Sequence, residues 1–454
     1  EAAWDGGAIM AERRRDMEAH DRPSAAVAGL GYVGLPMAVA LAKAGYRVYG
    51  LDVDEEKINR LNAGRSTAIG IDDEEIRSVR GRFTAGSDYA AVSRADAVVI
   101  CVPTPLTAER EPDLTYIRSA VGAMVPHLKR GTLIVLESTT YPGTTDELIR
   151  RVVEEARGWR VGEDFHLCYS PERIDPGNRV YRLDNSPKII GGATPACLEA
   201  GVKFYRSIVQ QVVPVSSTAA AEAAKLFENT FRNVNIALVN EFALLCEKLG
   251  ISVWEVVRAA ATKPFGFLPF WPGPGIGGHC IPVDPLYLNW TARRFGRPMK
   301  LIELADEVNR RMPRHVVDRV ADLLNREGKP VRGARIALIG IAYKPDVDDV
   351  RESPALDILD ELAARQADVV CCDPLVPSFR HRGRTFRTAA LTPELLAGLD
   401  LAVILTRHSA VDVRMIAEHA PLVLDTRNAL DGFEGGRIAR LGEPSAAPSA
   451  AEGG

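Results

Sequence analysis

One cysteine of this chain, Cys280, sits on the glycine-rich stretch Gly273-Pro-Gly-Ile-Gly-Gly-His-Cys-Ile-Pro-Val-Asp284, with an aspartate four residues downstream. Glycines let a main chain approach a ligand closely and take conformations other residues resist, so the spacing suits a thiol nucleophile. A lone cysteine behind a tight turn is equally a small buried core residue, and only partners elsewhere in the chain can separate the two readings. Lys225 and Asn229 lie four apart and project from one helix face. They could stabilise a developing oxyanion, or the lysine could accept a proton if burial lowered its pKa; a solvated helix face is the alternative. Glu172, in Ser170-Pro-Glu-Arg173, follows the strand-like run His166–Tyr169, where loops of open α/β sheets carry active-site groups. Its carboxylate could activate water or pair with a cation such as Arg173. His279 beside Cys280 does not make a metal site: adjacent residues are no chelating pair, and no other Cys or His has ligand spacing around them.

The elements that must hold these groups read as α/β. A short apolar strand from Ala25 runs into Gly29-Leu-Gly31-Tyr-Val-Gly34 and then into an alanine-rich helix ending near Lys43 to Gly45; a second strand, Tyr46 to Leu51, stops at Asp52. A GxGxxG placed between strand and helix permits the tight turn and the approach of a pyrophosphate to a helix N-terminus. Asp52 stands at the offset expected of the carboxylate that accepts the adenosine ribose hydroxyls, and Val53 and Asp54 offer no cation for a 2′-phosphate, which favours NAD over NADP. Further apolar runs at Ala97–Cys101, Leu133–Leu136 and Lys188–Ile190 continue a mostly parallel sheet.

From Thr218 to Leu249 the period changes to one long helix, with Phe227, Phe231, Val234, Leu238, Phe242, Leu245 and Leu249 at three- and four-residue spacing. That stripe suits a dimer surface and core packing equally. A second α/β unit follows Gly333, with strands at Ala334–Ile341, Asp368–Asp373, Leu401–Thr406 and Leu422–Asp425 and a helix at Ser353–Gln366; it lacks GxGxxG, so its ligand is something other than a dinucleotide. The expected architecture is therefore two Rossmann-like parallel-sheet domains joined by a long central helix and a helical middle domain. Its parts are a disordered leader at 1–23, an NAD-binding domain at 24–215, a central helical domain at 216–315, a second Rossmann-like domain at 316–440 and a disordered tail at 441–454.

With 46% hydrophobic residues in 454, the chain can build substantial cores. A net charge of −4 argues against nucleic acid or an anionic membrane as the main partner. No apolar run approaches the roughly 20 residues that span a bilayer. Seven cysteines without CxxC pairs or a dense framework point to a reducing compartment, and a cytoplasmic location is expected.

The chain resembles the UDP-glucose/GDP-mannose dehydrogenase family over about residues 24 to 430. The match rests on GLGYVGLP at Gly29–Pro36, VPTP at Val102–Pro105, EST at Glu137–Thr139, SPER at Ser170–Arg173, KLFENTFRNVNIALVNE at Lys225–Glu241, GGHC at Gly277–Cys280 and AYKPDVDDVRESP at Ala342–Pro354. The resemblance implies a homodimer or higher homo-oligomer that oxidises the C6 alcohol of a nucleotide sugar to a carboxylate with two NAD, in surface polysaccharide biosynthesis. It implies that Cys280 captures the aldehyde as a thiohemiacetal that becomes a thioester. Lys225, Asn229 and Asp284 then act on alkoxide, oxyanion and water, Glu172 serves hydrolysis, and Thr139 stands near the nicotinamide. Gly29, Gly31, Tyr32, Val33, Gly34, Asp52, Lys57, Thr104, Thr139 and Arg351 are expected to face NAD. Glu172, Arg173, Lys225, Asn229, Phe265, Phe267, Gly277 and Lys344 are expected to face the UDP-sugar, with no metal.

Two positions depart from the UDP-glucose branch of the family. Pro176 stands where some of its members carry a second carboxylate, and Val283 where they carry a lysine. The segment PFGFLPFWPGPGIGGHCIPVDPLYL, with an aromatic and proline-rich loop at Phe265–Pro274, is more similar to the branch acting on UDP-N-acetylhexosamines. UDP-N-acetylglucosamine is the first expectation, with UDP-N-acetylmannosamine and UDP-glucose behind it.

Overall fold

A computed structural model describes residues 23–68, 70–173, 180–433, 435 and 437–444. Pro176, nearly all of the expected leader and most of the expected tail lie outside these residues. Two compact units meet in sequence between Phe227 and Glu228, inside the long helix.

The first unit is built on an eight-stranded sheet of order β3-β2-β1-β4-β5-β6-β7-β8. The strands are β1 Ser24–Ala28, β2 Arg47–Leu51, β3 Phe83–Gly86, β4 Ala97–Ile100, β5 Leu133–Leu136, β6 His166–Tyr169, β7 Lys188–Gly192 and β8 Val212–Val215. Every pairing is parallel except β6 with β7. The strands β1, β4 and β5 are buried at every position, which is why they read as unbroken apolar runs rather than as alternating ones. Strand order reverses between β1 and β4, so the loops after them face the crevice where open α/β sheets take their ligands. Helices α1 (Gly34–Lys43) and α2 (Pro195–Tyr205) belong to this unit, and α3 (Thr218–Leu249) begins in it.

The second unit holds the rest of α3, then α4 (Val253–Ala261), α5 (Asp284–Arg294), α6 (Lys300–Arg326) and α7 (Pro354–Ala364). Its parallel sheet has the order β10-β9-β13-β14-β15, from β9 Arg335–Ile339, β10 Asp368–Cys372, β13 Leu401–Ile404, β14 Val423–Asp425 and β15 Ile438–Arg440. Strands β11 Ser378–His381 and β12 Arg384–Arg387 form a separate hairpin. The fold is thus mixed α/β, with a large, mostly parallel sheet in each unit and a helical middle of the chain. α6 continues through Pro313 and past position 315, where the sequence ended the middle domain.

Two further differences follow from packing. Leu441 is fully buried and its carbonyl accepts the Trp254 indole N–H at 2.8 Å, so the first residues assigned to the tail belong to the core around α4. The apolar stripe of α3 is mostly exposed, although its Phe242 packs against the core. Phe227, Phe231, Leu238, Leu245 and Leu249 are exposed, whereas Val239, Ala243 and Cys246 pack with Val253, Trp254 and Val257.

Candidate active site

At the end of β1 the chain turns through Gly29, whose φ of 91° lies in the left-handed region and whose Cβ would stand 2.6 Å from the Cys101 carbonyl oxygen. Gly34 opens α1 so close to this turn that a Cβ there would stand 1.7 Å from the Gly29 carbonyl oxygen. Above Gly31 a Cβ would meet nothing within 4 Å. Two of the glycines are therefore required by the protein's own packing, and the middle one leaves open space at the N-terminus of α1, where unpaired N–H groups and the helix dipole favour phosphate. Asp52 accepts from the Leu30 N–H at 2.9 Å, the Asp54 N–H at 3.1 Å and Lys57 Nζ at 2.9 Å. Burial pushes its carboxyl up, but these donors outweigh it and hold the group below the usual range, so Asp52 is a carboxylate suited to ribose hydroxyls. Lys57, expected to face the cofactor, is paired to Asp52 rather than offered to a 2′-phosphate. Tyr32 and Val33 in the turn, Thr104 after β4 and Thr139 after β5 are half-buried on the loops of this crevice. The residues present fit a dinucleotide.

Deeper in the same unit, Glu172 follows β6 and is 6% exposed. Its Oε2 accepts from Lys188 Nζ at 2.7 Å and its Oε1 from the Arg173 N–H at 2.6 Å, while its backbone carbonyl accepts from Lys225 Nζ at 2.9 Å. The Arg173 guanidinium donates to the Pro187 carbonyl at 2.8 Å. Lys188 also pairs with Glu137 Oε1 at 2.9 Å, and Tyr205 OH donates to that same oxygen. Burial pushes the Glu137 carboxyl up against the opposing effect of Lys188. Lys188 stays protonated, because its two carboxylate partners outweigh desolvation and raise its pKa.

In the second unit Cys280 is half-buried, whereas the other six cysteines are buried. Burial pushes the Cys371 and Cys372 thiols up to about 12 and about 11, and those of Cys101 and Cys168 up as well, which makes them inert. The Cys280 carbonyl accepts from the Asp284 N–H at 2.8 Å, placing the cysteine one turn before α5. Asp284 is 1% exposed and accepts from Asn229 Nδ2 at 2.6 Å. Farther along α3, Asn233 Nδ2 donates to the Ile281 carbonyl at 3.1 Å, and Asn240 Oδ1 accepts from the Gly273 N–H at 2.9 Å. Asn240 Nδ2 also donates to Asn309 Oδ1 on α6 at 3.0 Å. One face of α3 thus pins the cysteine loop at 273, 281 and 284.

The glycines of that loop are explained by contacts within its own unit. A Cβ on Gly277 would stand 2.7 Å from both the Glu352 carbonyl oxygen and Tyr343 Cβ, and one on Gly278 the same distance from the Tyr343 ring. Arg351, expected at the cofactor, pairs with Asp349 at 2.7 Å and lies 3.4 Å from His279 Nδ1, tying the cysteine loop to the 342–354 motif that also carries half-buried Lys344. Phe265 and Phe267 are exposed, 71% and 38%, on a loop anchored at its end by Trp271 stacked on Trp254 at 5.8 Å. The Lys225/Asn229 pair is no solvated face, since Asn229 is 7% exposed and both side chains are hydrogen-bonded.

Lys188, Tyr205, Asn233, Asn240 and Asn309 were not singled out from the sequence. The amides carried a faint signal: Asn229, Asn233 and Asn240 keep one helical face, at spacings of four and seven.

A mostly parallel sheet with a glycine turn at its switch point and a held carboxylate after β2 defines a dinucleotide-binding protein. The chain belongs to the UDP-glucose/GDP-mannose dehydrogenase family: residues 24–209 match its NAD binding domain, 219–311 its central domain and 337–432 its UDP binding domain. A UDP-N-acetyl-D-mannosamine dehydrogenase of Escherichia coli K12 is 36% identical over 400 residues, covering 85% of this chain and 94% of that one. An NDP-N-acetyl-D-galactosaminuronic acid dehydrogenase of Ralstonia solanacearum is 38% identical over 352 residues, covering 76% and 81%. The solved structure of a UDP-D-ManNAc dehydrogenase from Pyrococcus horikoshii superposes with a TM-score of 0.85 at 33% identity, covering 93% of this chain and 100% of that one. The protein is accordingly an NAD-dependent nucleotide-sugar 6-dehydrogenase.

Proposed function

We propose that the protein oxidises the C6 alcohol of UDP-N-acetylmannosamine to the uronic acid. Similarity over most of the chain to proteins named for that sugar supports this reading and moves UDP-N-acetylmannosamine ahead of UDP-N-acetylglucosamine, the first expectation from the aromatic loop. The two sugars differ in configuration at C2, a difference worth only about 1–3 kcal/mol in a pocket.

NAD, when bound, accepts the hydride that leaves C6 in each of two oxidations. Lys225 and Asn229 bind the C6 oxygen, and Asp284, held by Asn229, takes the alcohol proton through water. The Cys280 thiolate adds to the aldehyde carbon to give a thiohemiacetal, which again carries a hydride to lose; its oxidation leaves a thioester. Glu172 then draws a proton from the water that hydrolyses the thioester. In this reading residues 24–215 hold NAD, 216–315 form the centre and 316–440 hold the UDP-sugar, with Lys344 on the nucleotide and Phe265 and Phe267 on the sugar.

The test is NADH released per sugar with UDP-N-acetylmannosamine, UDP-N-acetylglucosamine, UDP-glucose and the galacto epimers. Two NADH per UDP-N-acetylmannosamine, with kcat/KM about tenfold or more above the others, is expected. A higher value on another sugar overturns the substrate, and one NADH with free aldehyde overturns the four-electron route.

The exposed stripe Phe227, Phe231, Leu238, Leu245 and Leu249 supports a homodimer built on α3. Sedimentation should give twice the 49.3 kDa chain mass, and Leu238→Glu should return it to the monomer value. A wild-type monomer at micromolar concentration removes this reading. A UDP-uronic acid product suits a cytoplasmic precursor of surface polysaccharide, which cell fractionation and a deletion strain's glycan composition would check.

A further inference from the structure

Glu172 lies in a cluster of four buried polar side chains of the first unit, and the other three have no task in the mechanism above except through it. Glu137 follows β5, Glu172 follows β6, Lys188 opens β7 and Tyr205 closes α2, and none is more than 6% exposed. Lys188 Nζ lies 2.7 Å from Glu172 and 2.9 Å from Glu137, and 5.4 Å from the centroid of the Tyr205 ring. Cys101 Sγ lies 3.8 Å from the other Glu137 oxygen, and Lys225 touches the Glu172 carbonyl rather than its carboxylate. Burial pushes the Tyr205 hydroxyl and the Cys101 thiol well above their usual ranges, so both are neutral. The cluster therefore sets one ammonium against two carboxylates.

A buried ion pair is weak evidence for stability, since apolar residues of similar volume often serve as well or better. What it does supply is direction. An ammonium held from one side by Glu137 offers Glu172 Oε2 a fixed donor at 2.7 Å.

We propose that Lys188, itself held by Glu137 and Tyr205, is a positioning residue that fixes the Glu172 carboxylate for thioester hydrolysis. The proposal rests on the reading of Glu172 as the hydrolytic base. In that step water oxygen bonds to the acyl carbon, Glu172 takes the water proton, and the C–S bond breaks with its electron pair leaving on Cys280 sulfur. No electron is gained or lost.

The test compares three variants with Glu172→Gln in the full-length enzyme, using NAD and the UDP-sugar that wild type oxidises. Glu172→Gln should slow steady-state turnover about 10²–10⁴-fold and accumulate an acyl adduct on Cys280, seen by intact-protein mass spectrometry. Lys188→Met should accumulate the same adduct and slow turnover on the order of 10²-fold with KM for the sugar and Kd for NAD little changed, a split that a general loss of structure would not give. The double variant Glu137→Gln/Lys188→Met keeps the cluster's net charge, and so guards against a folding failure; it should accumulate the same adduct. Glu137→Gln alone leaves Lys188 on Glu172 and should hydrolyse the thioester at a rate nearer to wild type than Lys188→Met does. A general structural defect would raise KM and lower the melting temperature rather than stall this one step.

If Glu172→Gln accumulates the adduct while both Lys188 variants hydrolyse it at the wild-type rate, or lose sugar and NAD binding in step with turnover, the positioning role is overturned and the role of Glu172 stands. If Glu172→Gln hydrolyses normally, the role of Glu172 fails and this proposal falls with it.

Discussion

Cys280→Ser is expected to stop uronic acid formation, lowering turnover to two NADH by at least about 10³-fold, the scale on which removal of a nucleophile acts in a working catalytic set. An aldehyde carbon has no hydride to surrender while it remains a carbonyl; it must first become a tetrahedral adduct. A thiolate forms that adduct readily and later leaves as a good leaving group, whereas a serine hydroxyl is protonated at neutral pH and gives an ester that hydrolyses slowly. Cys280 is half-buried on its loop while the other six cysteines are buried, so no second thiol can take over. The substitution is nearly isosteric at a site that is not core, and melting temperature should hold within a degree or two. NADH count and intact mass decide the matter: undiminished release of two NADH per sugar would remove the covalent route, and loss of activity with a collapsed melting temperature would make Cys280 structural.

Much of the fold was legible because its signals are local. The GxGxxG turn, the helix Thr218–Leu249 and the central strands of both sheets are written in glycine placement and apolar period, and they occur where those patterns put them, whereas the short outer strands β3, β8 and β15 were not read from the sequence. The direction in which a pattern faces was not legible. The apolar stripe of α3 has the period of a core helix, yet Phe227, Phe231 and its leucines are exposed, only Phe242 of its aromatics packs on the core, and the buried face is one residue out of step at Val239, Ala243 and Cys246. Partnerships across the sheet were equally hidden. Lys188 reads as the polar start of an apolar strand, and nothing in PKIIGG says that its ammonium meets carboxylates after β5 and β6. The amide face of α3 hid for a further reason: Asn233 and Asn240 resemble ordinary polar helix positions until the loop that they bind is folded back over them. Glycines could be counted from the sequence, but the separate task of each needed the backbone of its neighbours.

That separation of tasks gives the other large expected effect. Gly→Ala inside a helix ordinarily stabilises by about 0.5–1 kcal/mol, because alanine has less backbone freedom to lose. At Gly34 the opposite is expected. Its new methyl would stand 1.7 Å from the Gly29 carbonyl oxygen and 3.1 Å from Cys101 Cβ, so either α1 or the turn after β1 must move. Overpacking of this kind costs about 1–3 kcal/mol or more, and Gly34→Ala should both melt lower and lose NAD. Gly31→Ala is the discriminating partner, because its methyl would meet no protein atom within 4 Å. Its melting temperature without cofactor should equal that of wild type, while a methyl in the space taken by the pyrophosphate should raise the Kd for NAD about tenfold to a hundredfold. Titration of both variants with NAD, followed by nicotinamide fluorescence or calorimetry, separates the two tasks. An unchanged Kd in Gly31→Ala would mean that the open space above this glycine is not where the pyrophosphate lies, and the crevice between β1 and β4 would have to bind the dinucleotide in another way.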